Sequence, residues 1–294
     1  MMKKILITGA GPKSFVGRNL KEALAGKYEV FAPPHSELEL LDYQALERYV
    51  LENGIEAIVH AAVHVPMFNG AEKEFYNDMQ MFLNIEKISH RVEKVLYFGS
   101  GAEFDKRYDI TMVREEEFGK TIPVSEYGMA KYTMNLLARR SENIYNLRLF
   151  GIFGKYELWD IKFLSNLCCK AAFDLPLTIR KECSFDFFYI EDLPPVIEWF
   201  LEHTPRYHDY NICQGQPYPL TRLAGMVLKA AGKTLPVTVL EQGRNLDYTA
   251  SNERLRSEYE NMRLTCTQDA LEQLYRYYEA HKAQIDYERL RSSR

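Results

Sequence analysis

The 294-residue sequence predicts an α/β protein: a doubly wound parallel sheet with helices on both faces, followed by a smaller C-terminal α/β domain. Three observations carry that prediction. Short apolar runs alternate with amphipathic stretches from Lys4 to Leu149. A glycine-rich turn separates the first run from the first helical stretch. Beyond about Phe153 the alternation loosens into shorter, mixed segments.

Lys4–Thr8 is β-branched and apolar, as a strand buried on both faces requires. Glycines follow in Thr8-Gly9-Ala10-Gly11-Pro12-Lys13-Ser14-Phe15-Val16-Gly17, and Arg18–Leu24 then has helical periodicity. Strand, glycine turn and helix start, in that order, present backbone N–H groups and a helix N-terminus to a pyrophosphate. This makes Gly9, Gly11, Ser14, Phe15, Val16 and Gly17 candidate cofactor-binding residues.

The alternation continues with a strand at Glu29–Ala32, a helix at Tyr43–Glu52 and a strand at Ala57–Ala61. A long helical stretch at Glu72–Glu93, a strand at Val95–Gly99, a helix at Val124–Ser141 and a strand at Ile144–Leu149 complete it. Ligands of such sheets bind at the carboxyl ends of the strands, where the glycine turn, Ala61–Ala62 and Ser100 all fall.

The later chain reads as a helix at Ile161–Phe173, a strand at Leu177–Arg180 and a strand at Ser184–Ile190 leading into a helix at Asp192–Leu201. Tyr210–Cys213, Leu220–Ala231, Val237–Leu240 and an amphipathic helix from Gln268 to about Gln284 follow. The expected division is a dinucleotide-binding Rossmann domain over 1–154, also receiving about 186–203, and a substrate-binding domain over 155–294.

With 46% hydrophobic and 27% charged residues, the composition is that of an ordinary globular protein. A net charge of −4 offers no electrostatic case for nucleic acid or an anionic membrane surface. No run approaches the roughly 18 apolar residues of a membrane span, and the N-terminal run is too short for a signal peptide. Cys168, Cys169, Cys183, Cys213 and Cys266 form no CxxC pair, so they read as reduced core thiols of a cytoplasmic protein without a metal site.

Tyr127 and Lys131 lie four residues apart at the head of a helical stretch, one turn apart on one face. There an ammonium would stabilise a phenolate and pull the tyrosine from its usual pKa of about 10 towards neutrality. The spacing alone is common in a chain with 20 tyrosines, and Tyr278–Lys282 repeats it. Position separates the two. Tyr127 follows the strand ending in Phe98-Gly99-Ser100, whereas Tyr278 lies on the terminal amphipathic helix, as surface or packing.

With these residues in place, the chain resembles the extended short-chain dehydrogenases, the NAD-dependent epimerase/dehydratase family that acts on nucleotide sugars. The resemblance rests on Thr8-Gly9, Phe15-Val16-Gly17, Leu40-Leu41-Asp42, His60-Ala61-Ala62, Phe98-Gly99-Ser100 and Tyr127-Gly-Met-Ala-Lys131. It continues through Phe185-Asp186-Phe187 to Asp192, Tyr210-Asn211-Ile212 and Gly243-Arg244 with Asp247, and so covers nearly the whole length.

The resemblance implies a Ser100, Tyr127 and Lys131 catalytic triad, with Lys131 also holding the nicotinamide ribose. It implies that Asp42 lies near the adenine and that Ala61, Ala62 and Val63 line the pyrophosphate cleft. Arg180 and Arg244 would grip substrate phosphates. A homodimer through the helix bearing Tyr127 and the one before it is a further expectation, with Met79, Met81, Phe82, Met129, Tyr132, Met134 and Leu137 as candidate contacts.

Departures from the family pattern narrow the reaction. The phosphate loop is two residues longer than the usual spacing, with Ser14 near the middle glycine's place. The family's arginine before Asp-Phe is Phe185, and Gly151 stands where asparagine is common. Sugar 4,6-dehydratases carry Asp-Glu after the serine, whereas this chain has Gly101-Ala102 with Glu103 one place late. The branch typified by GDP-fucose synthase, which Ser36–Asp42 resembles, uses a cysteine where Ala102 stands. What remains is reduction of a 4-keto-6-deoxy sugar on a nucleotide, or C4 epimerisation with retained NAD. A non-catalytic dinucleotide-sensing protein on the same fold is the reading from another class. The second strand ends Val30-Phe31-Ala32-Pro33-Pro34-His35 without an acid for a ribose 2′-hydroxyl, which favours NADP over NAD.

Overall fold

The computed structural model describes residues 2–64 and 73–293. In chain order the first half comprises β1 (Lys4–Thr8), α1 (Val16–Leu24), β2 (Glu29–Phe31), α2 (Tyr43–Asn53), β3 (Ala57–His60) and α3 (Glu74–Ile88). It continues with β4 (Lys94–Ser100), β5 (Ile110–Val113), α4 (Glu126–Ala138) and β6 (Ile144–Leu149). The expected start of α3 at Glu72 lies outside the described residues.

Five of these strands, with a sixth from later in the chain, form a parallel sheet in the order β2-β1-β3-β4-β6-β9, where β9 is Asp209–Ile212. Strand order runs one way from β1 to β2 and the other way through β3 and β4. The switch point therefore lies between the carboxyl ends of β1 and β3.

Alternate residues of each strand feed opposite faces of the sheet. Ile5 and Ile7 join a core with Leu20, Val196 and Phe200, while Leu6 joins Val50, Ile58, Phe82 and Met134 on the other face. Phe82 and Met134, expected at a dimer contact, are thus interior, and Met79, Met81 and Leu137 pack against that same core. Solvent instead meets Tyr76 and Leu83 on α3, Leu136 on α4, and Val124 before it.

Beyond Phe153 come α5 (Phe163–Ala172), β7 (Leu177–Ile179), β8 (Ser184–Phe185) and α6 (Leu193–Glu202), before β9. They are followed by β10 (Tyr218–Pro219), α7 (Leu220–Ala231), β11 (Val237–Val239), β12 (Tyr248–Ala250), α8 (Glu253–Glu258), α9 (Thr267–Ala280) and α10 (Tyr287–Ser292). A second sheet of order β10-β8-β12-β5 carries β5 away from the large sheet, and β11 pairs β7. The chain's return to the large sheet runs to Ile212, beyond the expected 203.

Ser184–Ile190 was expected as one strand, but the strand covers only Ser184 and Phe185, with an isolated bridge from Tyr189 to Phe153 farther on. Asp186 interrupts it: its carboxylate accepts the N–H groups of Gln214 at 2.8 Å and Gly215 at 2.9 Å, turning the backbone. Tyr278 is buried in the core, and Lys282 donates to the Ala172 carbonyl at 2.6 Å, so that pair is packing rather than surface. Cys266 is exposed, unlike the other four cysteines. No helix among the described residues is long and apolar enough to cross a membrane.

Candidate active site

The turn after β1 is shaped by close backbone approach. Gly9 has φ +66°, and a Cβ there would stand 2.6 Å from the Cα and N of Ala62. A Cβ on Gly17 would stand 2.2 Å from the Gly9 carbonyl oxygen, so α1 can seat against the turn only with glycine. Gly11 faces open space.

The two extra residues of the loop are closed by Ser14, whose hydroxyl donates to the Gly9 carbonyl and whose N–H donates to Gly11 O at 2.9 Å. α1 begins at Val16 with no side-chain cap and no acid in its first turn. Its leading N–H groups therefore keep their affinity for an anion.

The ends of β1 and β3 are tied together. The Thr8 hydroxyl and His60 Nδ1 lie 2.8 Å apart, and Thr8 Oγ1 also accepts the Ala62 N–H at 3.3 Å. Burial, with Lys131 nearby, depresses the His60 pKa to about 3, so its ring is neutral. Ala61 and Ala62 border the glycine turn, and Val63 is more exposed. Asp42 is the N-cap of α2, accepting from Gln44 N–H at 2.8 Å and Ala45 N–H at 3.1 Å. His35 is engaged by Glu39 at 2.8 Å.

Ser100 ends β4. Ser125 starts α4 by accepting the Gly128 N–H at 3.1 Å, which sets Tyr127 in the first turn and Lys131 one turn on. The Lys131 ammonium lies 5.7 Å from the centre of the Tyr127 ring. Lys131 is buried and Tyr127 half-buried, and burial lowers the Lys131 pKa.

The Tyr127 phenol is pushed up to about 12, first by burial and then by the carboxylates of Asp78, Glu103 and Glu74, against the Ser100 hydroxyl that lowers it. Burial thus moves this phenol upward, opposite to the shift expected from its spacing to Lys131. Asp78, buried on α3, accepts the His64 N–H at 2.6 Å and is the first of the carboxylates that favour the charged form of Lys131.

Glu103 is fully buried beneath Ser100. Its carboxylate meets Arg148 Nε at 2.9 Å, Asn146 Nδ2 at 3.0 and 3.1 Å, and the Ser100 N–H at 3.1 Å. Arg148, itself fully buried, reaches on to Asp209 at 3.0 Å and Asn211 at 2.8 Å. Every strong donor around Glu103 is thereby consumed, and the carboxylate braces the turn from below.

Sequence reasoning missed Tyr248 on β12. Its hydroxyl would stand 2.3 Å from a Cβ on Gly101, directly beside Ser100. Ser100 stands near enough to both the Tyr127 and Tyr248 phenols for its hydroxyl to lower the pKa of each.

Of the two expected phosphate ligands, Arg180 pairs with Glu241 at 2.8 Å, and Arg244 with Asp247 at 2.9 Å and Ser184 Oγ at 3.2 Å. Arg180 and Glu241 line a cleft of about 450 Å³ together with Lys181, Phe163, Phe185 and Asn245. The Phe185 ring lies 5.0 Å from that of Tyr248, so the cleft adjoins the Ser100 site through two aromatic rings.

Comparison with known proteins agrees with this architecture. The chain is 25% identical over 256 residues to the GDP-L-colitose synthase of Yersinia pseudotuberculosis, covering 78% of this chain and 82% of that one. The GDP-L-fucose synthetase of Naegleria fowleri superposes with a TM-score of 0.83 at 15% identity over 96% of this chain and 95% of that one, and it has also been solved bound to NADP. The Bordetella bronchiseptica enzyme WbmG, solved in complex with NAD and UDP, superposes with a TM-score of 0.81 at 18% identity over 96% of both chains. Residues 5–213 match the NAD dependent epimerase/dehydratase family, and with a glycine turn, Ser100, Tyr127 and Lys131 gathered at the strand ends, the chain belongs to that family.

Proposed function

We propose that this chain is an NAD(P)-dependent reductase of a nucleotide-linked 4-keto-6-deoxyhexose, acting through Ser100, Tyr127 and Lys131. The observation that carries the reading is the placement of Tyr127 and Lys131 on the first turns of α4, after Ser100 at the end of β4, together with the fate of Glu103. Reduction of a carbonyl needs a proton donor beside the developing alkoxide, and a phenol raised to about 12 keeps its proton at neutral pH. Dehydration needs an additional free acid and base, whereas Glu103, the acid nearest Ser100 in sequence, is committed to Arg148 and Asn146.

The loop fits a dinucleotide. The open face of Gly11 and the uncapped start of α1 suit a pyrophosphate, with Gly9, Ser14, Phe15, Val16 and Gly17 shaping the turn and Ala61–Val63 flanking it. A bound nicotinamide cofactor supplies the hydride. The chain's own residues do the rest. Ser100 donates to the sugar carbonyl oxygen, Tyr127 gives that oxygen its proton, and the buried Lys131 ammonium stabilises the phenolate left behind and holds the cofactor ribose. The absence of an acid at the end of β2 favours NADP.

Arg180, Lys181 and Asn245 would meet the substrate's diphosphate and base in the cleft beside Phe185, with Arg244 at its border. The relation to a GDP-L-colitose synthase makes a GDP-linked sugar the first candidate. Tyr76 and Leu83 on α3, with Val124 and Leu136 on or beside α4, supply apolar surface for a homodimer.

Tyr127→Phe tests the reading. NADPH oxidation with a GDP-4-keto-6-deoxyhexose should fall by roughly 10²- to 10⁴-fold while NADPH binding, followed by fluorescence, is retained. A variant that still turns over refutes the assigned role. NAD that copurifies tightly with the wild-type chain and is not released in turnover would favour a 4-epimerase instead.

A further inference from the structure

The geometry points to Tyr248 as a positioning residue that aims the Ser100 hydroxyl, an inference that rests on the role of Ser100 proposed above. The argument begins with Gly101. A side chain at that position would run into the Tyr248 hydroxyl at 2.3 Å, its Cζ at 2.6 Å and the Phe150 ring at 2.4 Å. The space a residue after Ser100 would use is therefore filled by a phenol delivered from β12.

That phenol is held firmly. Its ring packs between Phe150 and Phe185, each 5.0 Å away between centres, and its carbonyl accepts the Asp186 N–H at 3.1 Å. Burial raises its pKa, with Tyr127 among the groups that raise it and Ser100 the hydrogen-bond neighbour that lowers it. Tyr248 is therefore a neutral O–H at neutral pH.

The valence of Ser100 then decides what the phenol does. A serine hydroxyl has one hydrogen to give and two lone pairs to fill. One lone pair of Ser100 Oγ accepts the Ala102 N–H at 3.1 Å. When Tyr248 O–H fills the second, the single Ser100 hydrogen has one direction left, towards the Tyr127 oxygen and the substrate oxygen that joins it. Without Tyr248, Ser100 can turn its hydrogen away from the substrate and accept there instead. The same tyrosine lies against Phe185, a wall of the substrate cleft, so cleft and serine are linked through two rings.

The test is Tyr248→Phe, which keeps the ring and its packing and removes only the hydroxyl. With NADPH and a GDP-4-keto-6-deoxyhexose, kcat should fall on the order of 10- to 100-fold, less than for loss of a donor itself, with KM changed less than about twofold. In a Ser100→Ala background the same change should cost less than about twofold, because the group it aims is gone. Gly101→Ala, which displaces the phenol without deleting it, should also lower kcat.

A Tyr248→Phe enzyme with wild-type kcat, or an equal loss in the Ser100→Ala background, overturns the proposal. If the wild-type chain reduces no keto sugar, the functional reading falls by itself. Crystal structures at atomic resolution then decide on Tyr248: Ser100 in one rotamer in the wild type and split between rotamers in Tyr248→Phe supports it, and an identical Ser100 in both overturns it.

Discussion

Glu157 gives the fold a built-in pH dependence that can be calculated before it is measured. The carboxylate lies in the interior beside α5, where the Ser165 hydroxyl donates to it at 2.6 Å. Burial raises its pKa from 4.5 to about 7, while Ser165 and the Lys162 ammonium pull the other way. The folded state thus binds this proton more tightly than the unfolded chain. The resulting stability is complete below pH 4.5 and is lost as pH rises through about 7.

The gap corresponds to roughly 3 kcal/mol at the acid limit, of which about 2 kcal/mol disappears between about pH 5.5 and about pH 8. Glu157→Gln keeps the shape and removes the titration. Urea unfolding of both proteins across that range should therefore show the wild-type minus variant difference falling by about 2 kcal/mol as pH rises. Other titrating groups cancel in that difference. A difference that stays constant within about 0.5 kcal/mol would refute the reasoning, because the buried carboxylate would then titrate alike in both states.

Two further outcomes follow from the site. Arg148→Met leaves Glu103 and Asp209 without their shared buried cation, and should cost about 3–5 kcal/mol, lowering Tm by roughly 6–15 °C in calorimetry; a loss below about 1 kcal/mol would mean that water or protonation replaces the arginine without penalty. In the glycine turn, Gly11→Ala meets no atom of the described residues and should leave stability within about 0.5 kcal/mol while weakening NADPH about tenfold or more. Gly17→Ala drives a Cβ to 2.2 Å from the Gly9 carbonyl and should reduce both stability and binding, so thermal melts with and without NADPH separate the two roles.

The large sheet was legible because each of its central strands is buried on both faces and therefore reads as an unbroken apolar run, as in Ile5-Leu6-Ile7 or Val95-Leu96-Tyr97. The small sheet was not. β8 and β10 have two residues each and β12 has three, too few to establish a period, and they pair with β5 from far earlier in the chain. Helices showed their existence through periodicity, whereas the caps that set their starts, Asp42 and Ser125, emerge only in the structure. The candidate contact residues on α3 and α4 were misread for the converse reason: their apolar residues look alike in sequence, and only the packing separates Phe82 and Met134 inside from Leu83 and Leu136 outside.

For the site, local spacing was informative about placement and misleading about energetics. Tyr127 and Lys131 fall one turn apart as their spacing requires, yet spacing carries no information on desolvation, and desolvation sets the phenol's pKa here. The same blindness hid Tyr248. Gly101-Ala102 reads in sequence as a deletion of function, a place where related enzymes carry acids and this one carries nothing. In three dimensions the small residues are what admit a hydroxyl from the far end of the chain. A glycine after a serine at a strand end is thus evidence about whatever occupies the space beside it, and here the neighbour is the Tyr248 phenol.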